Sequence, residues 1–173
     1  PRPVSMATVR KFTWDASYDY ITNPSGRLQS RQGQAGFRTE LQNGDYMSIE
    51  AAIIYESLEK PFDISHDVTI PVGGYGYSEV HVQYNFGPQR RSAGNVIVER
   101  GAFYDGTRTG LTFNRSRVFF SPQLSVEPTA TLNWIDLPAG SFSSTLLGSR
   151  VTFTGTPRLF VSALLQYNST SHI

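Results

Sequence analysis

The segment KFTWDASYDY, residues 11–20, sets Phe12, Trp14, Ala16, Tyr18 and Tyr20 at every second place, with Lys11, Thr13, Asp15, Ser17 and Asp19 between them. Successive side chains of a strand point to opposite faces, so the segment is a ribbon with one apolar wall and one wet wall. A soluble sandwich turns the apolar wall into a packed core, whereas an outer-membrane barrel turns it toward lipid and lines its lumen with the polar wall. The solvent of the apolar wall therefore decides the function.

The same period recurs along the chain, and no convincing amphipathic helix interrupts it. Further strands are expected over 31–41, 46–57, 77–86, 92–100, 108–120, 124–134, 144–153 and 159–168, giving about nine. Strand 108–120 loses phase at RSR (115–117), where a bulge would restore it. Pro128 falls on the apolar face of its strand and removes a ladder bond. Tight turns are expected at 43–45, 87–90, 121–123 and 156–158. Longer loops are expected at 22–27, 60–76, 101–107 and 135–141. That alternation, with strands of about 9 to 14 residues and aromatics toward their ends, fits a transmembrane barrel, whose strands need about 9–11 residues to cross at a tilt.

Composition bounds the alternatives. The 173 residues suffice for one domain, and residues 1–173 read as one β-barrel region. Fifteen basic and 14 acidic residues leave a net charge of +1, so no global field draws nucleic acid. The chain has no cysteine, which excludes disulfides and thiolate metal sites. The first ten residues are not a signal peptide, and no apolar run reaches the roughly 18 residues of a membrane helix.

The polar faces carry the candidate site. Arg38, Glu40, Glu50, Glu79, His81, Gln83, Glu127, Arg150 and Gln166 are assigned to the lumen wall, in company with Asp15, Glu56, Glu99 and Arg108. A glycosidase would need two such carboxylates facing each other across a cleft. Acids interleaved with arginines read instead as a charge network, so no catalytic residue is assigned. His66, His81 and His172 lack metal-ligand spacing, and the sequence calls for no metal or cofactor. GGYGY (73–77) leads into a strand rather than a helix, so it is not read as a phosphate cradle.

VTIPVGGY (68–75), FYDGTRTGL (103–111), SPQLSVEP (121–128), LNWIDLPAGSF (132–142) and especially TPRLFVSALLQYNS (156–169) resemble a family of Gram-negative bacterial proteins. In that family a family-9-type carbohydrate-binding domain precedes a large C-terminal outer-membrane β-barrel of unknown function. The resemblance runs from about Arg10 onward and implies bacterial outer membrane as location, membrane lipid as partner, and glycan as a partner only through an N-terminal domain absent from this chain. It supplies no catalytic residues to carry over. The expected fold is all-β, an antiparallel up-and-down meander forming part of a transmembrane barrel, seen as an open curved sheet or incomplete barrel. The odd strand count and the similarity together read as a fragment. A soluble sandwich or lipocalin-like binding module is the rival reading, and a glycoside hydrolase the third.

Overall fold

The structure, a computed structural model, describes residues 6–65, 68–156 and 158–169. The strands are β1 (Val9–Thr22), β2 (Leu28–Leu41), β3 (Tyr46–Leu58), β4 (Phe62–Ser65), β5 (Val68–Ile70), β6 (Gly73–Phe86), β7 (Ser92–Phe103), β8 (Gly106–Phe119), β9 (Leu124–Leu137), β10 (Gly140–Thr156) and β11 (Leu159–Asn168). Nine of them form one antiparallel meander in the order β1-β2-β3-β6-β7-β8-β9-β10-β11. The sheet is not closed among the described residues. Each of the nine expected strands is present in its expected place, most of them longer at the ends.

Two loop expectations are corrected. Segment 101–107 contracts to a turn at Tyr104 and Asp105, with Phe103 paired to Gly106. Tyr104 takes a φ of 52°, the left-handed value that two-residue hairpin loops favour. Segment 135–141 likewise closes with Leu137 paired to Gly140. Long and short connections therefore do not alternate regularly, and the one long excursion joins β3 to β6. It holds the hairpin of β4 and β5, whose Val68 and Ile70 are buried. Val68 reaches the β9–β10 turn, where an added Cβ on Gly140 would stand 3.1 Å from Val68 Cγ2. The excursion thus folds back across one end of the sheet.

The expected bulge is in β8. Its pairing with β9 breaks between Phe113 and Val118, and Arg115 takes a φ of 48°. Pro128 of β9 lies opposite the break. Having no N–H it cannot hold β8 in the ladder, and its carbonyl instead accepts from the Ser116 hydroxyl.

Register carries the two walls across all nine strands. Trp14 lies beside Phe37, Phe37 beside Ile49, Ile49 beside Val82, Val82 beside Val98, Val98 beside Leu111, and Leu111 beside Leu132. The aliphatic band of this wall lies between two aromatic rows. Tyr18, Tyr20, Tyr55 and Trp134 are near one end, and Phe12, Phe37, Tyr84, Phe86 and Phe153 near the other. Tyr46 and Phe103, also aromatic, fall on the polar face by register, and Tyr104 lies in a turn.

Burial runs opposite to a soluble protein. In β6 the polar-face residues Tyr77, Glu79, His81 and Gln83 are half-buried while Ser78, Val80 and Val82 are exposed. β3 repeats this in extremes, with Ala52 4% exposed on the polar wall and its neighbour Ile53 71% exposed on the apolar one, whereas the border strand β11 is exposed on both faces. Among the described residues no second layer covers either face. The contrast therefore measures curvature, since side chains converge on a concave polar side and spread apart on a convex apolar side.

Candidate functional site on the polar face

All nine residues assigned to the site from sequence lie on this one polar face. The structure gathers only some of them. At the centre, Glu79 of β6 lies 3.1 Å from His81 Nε2 and 3.0 Å from the Arg108 guanidinium of β8. Glu99 of β7 lies 3.6 Å from Arg108 and 4.0 Å from His81 Nδ1. The His81–Glu79 approach suits charge pairing but not the angles of a hydrogen bond, because His81 Nε2 is buried without a hydrogen-bond partner. Two acids, one arginine and one histidine thus form a partly sheltered network in which Arg108 bridges Glu79 and Glu99.

Arg108 spans from β8 to β6 because Gly101 of β7 stands between them in register. A Cβ there would come within 2.4 Å of the Glu79 Cα and the Ser78 carbonyl oxygen. Backbone cannot yield as a flexible side chain does, so Gly101→Val should destabilise the protein by about 1–3 kcal/mol, as overpacking does. Chemical denaturation would read the loss, and a shift below about 0.5 kcal/mol would show that the strands part easily.

Gln83 belongs to a second group, donating to the Tyr46 hydroxyl at 2.8 Å and to Asn95 Oδ1 at 2.7 Å. Arg38 stacks on Tyr46, its guanidinium carbon 3.8 Å from the ring centroid. Glu40 and Glu50 share the face, and their side chains make no hydrogen bond or ion pair among the described residues. Glu127 pairs with Arg117, which donates through Nε at 2.9 Å and through a terminal nitrogen at 2.7 Å. Arg150 stands opposite Glu127 in register without an ion pair, and Gln166 lies opposite Gly148. His66 and His172 lie outside the described residues. Among the described residues no cluster of three His, Cys, Asp or Glu side chains is arranged to hold a metal.

Sequence reasoning missed a group at the sheet end. Asp45, 1% exposed in the β2–β3 turn, accepts from the Gly87 amide at 2.8 Å and the Tyr84 hydroxyl at 2.9 Å. Arg90 donates to it at 2.5 Å, and Asn43 at 3.1 Å. Burial pushes the Asp45 pKa up, but the Gly87 amide, Tyr84 hydroxyl, Arg90 charge and Asn43 amide outweigh it, holding the carboxyl below its ordinary 3.8. This group ties the β2–β3 turn to the β6–β7 turn. The NGD run signals a turn, but nothing local signals a partner 45 residues away.

Compared with known family models, curated proteins and solved structures, the chain shows no match.

Proposed function

We propose that this chain is a wall segment of a bacterial outer-membrane β-barrel, its apolar face against acyl chains and its polar face lining a lumen, serving as a pore or surface scaffold in glycan handling. The observation that carries the reading is the uncovered apolar face. A soluble folded chain of 19.2 kDa is expected to expose about 8,400 Å². This one exposes 11,746 Å². The excess is about 3,300 Å² of total surface, and Trp14, Ile53, Val80, Val82 and Leu165 of the apolar face are among the exposed side chains that make it up. Packing of the chain as one half of a sandwich would leave the same area wanting a cover, so the module reading has no core to offer.

The aromatic rows support the same solvent. Phe12 and Tyr20 are eight residues apart on β1, about 26 Å along the strand, which a tilt reduces toward the 25 Å apolar band of such barrels. The glycan role rests on the resemblance of segments such as 156–169.

Both tryptophans of the chain, Trp14 and Trp134, stand on the apolar face, 59% and 48% exposed. Their fluorescence after reconstitution is therefore a direct test. Lipids brominated on the acyl chains should quench both, and aqueous iodide should quench neither. Strong iodide quenching with no response to bromolipid would remove the membrane reading.

A further inference from the structure

The β6–β7 turn and the adjoining halves of β8, β9 and β10 carry Arg90, Arg91, Arg115, Arg117 and Arg150 against one acid, Glu127. Arg90 is engaged by Asp45 and Arg117 by Glu127. The side chains of Arg115 and Arg150 make no hydrogen bond or ion pair among the described residues. Yet both line one hollow of about 310 Å³, with Ser116, Glu127, Thr129 and Gln166. A second hollow of about 300 Å³ adjoins it and takes in Arg115, Arg117 and Glu127. Three guanidiniums against one carboxylate leave a local excess of two positive charges.

The bulge makes this arrangement. In an unbroken strand Arg115 would share the apolar face with Phe113, two residues before it. The break opposite Pro128 turns it into a hollow walled by polar-face residues of β9, β10 and β11, at the expense of a left-handed backbone that a residue with a Cβ disfavours. Strain kept at a cluster of unpaired like charges is the pattern of a binding site rather than of a stabilising network. Guanidinium forks match the oxygens of phosphate in pairs, and the Thr129 hydroxyl and Gln166 amide add neutral donors. A volume near the lower bound for ligand sites suits a small ligand.

We propose that this hollow is a binding site for a small phosphate-bearing anion, with Arg115 and Arg150 as its principal contacts and Arg117 released to it in part from Glu127. The site lies on the polar face and does not depend on what covers the apolar one. Calorimetric titration of the full chain in detergent micelles with pyrophosphate, at low and constant ionic strength, tests it. Saturable binding at one site is expected, weakening as salt screens it. R115Q and R150Q should each lower affinity about tenfold or more, with R150K recovering part of the loss. E127Q should raise affinity several-fold by removing the opposing carboxylate and freeing Arg117. R31Q, near the opposite end on the apolar face, should bind as the parent does. Circular dichroism of each variant separates lost binding from lost folding. Absence of saturable binding by the parent chain, or undiminished affinity in a folded R115Q/R150Q double variant, would overturn the site. Should R115Q and R150Q both unfold, E127Q remains decisive, since unchanged or weaker binding there contradicts the charge balance proposed.

Discussion

Ile53→Arg is expected to cost about 2–4 kcal/mol when the protein is embedded in a bilayer, because position 53 lies near the middle of β3 on the apolar face and a guanidinium there must shed water or drag it inward. Ser17→Arg, exposed on the polar face of β1, should stay within about 0.5 kcal/mol. The contrast is informative because Ile53 is 71% exposed. In water a change at so open a site would be near neutral, so equal tolerance of the two variants, read by urea titration of the reconstituted protein, would refute lipid as the solvent of that face.

Asp45→Ala should destabilise the fold by about 3 kcal/mol. The Gly87 amide and Tyr84 hydroxyl would lose their acceptor in a buried place, which costs about 1–3 kcal/mol, and breaking a buried ion pair costs about 3–5. The value falls at the low end of the latter range because the Arg90 side chain is 44% exposed and regains water. The acid dependence follows from the sign of the shift. A carboxyl held below its unfolded value of 3.8 contributes its full stabilisation above that pH, and the contribution fades as pH falls through the lower, folded value. The stability of the parent should therefore fall as pH drops below about 4, while Asp45→Asn should start less stable and respond less. Parallel pH profiles for the two proteins would show that Asp45 does not carry the dependence.

The main sheet was legible because side-chain alternation is a local property. A reader of Tyr77 to Phe86 alone sees both walls, and the phase slip at residues 115–117 marks the bulge without knowledge of its neighbour. The β4–β5 hairpin was hidden, since strands of four and three residues are too short to show a period. The turn at 104–105 escaped the reading of the whole of 101–107 as a longer loop, although Asp105-Gly106 is itself a hairpin signal. The site was legible only as a face. That Glu79, His81, Glu99 and Arg108 meet, whereas Glu40 and Glu50 stand apart, depends on inter-strand register and on the space over Gly101. Neither can be read from one strand at a time.

The number of strands in the sheet has a directional consequence. Eight reversals separate β1 from β11, so the two border strands point the same way. Joining them edge to edge within one copy would demand a parallel seam, with slanted bonds in an otherwise antiparallel wall. Any seam that keeps the antiparallel rule needs an odd number of added strands between the borders, because a second copy meeting like border to like would be inverted across the bilayer. Cross-linking cysteines placed on β1 and β11 would tell these arrangements apart.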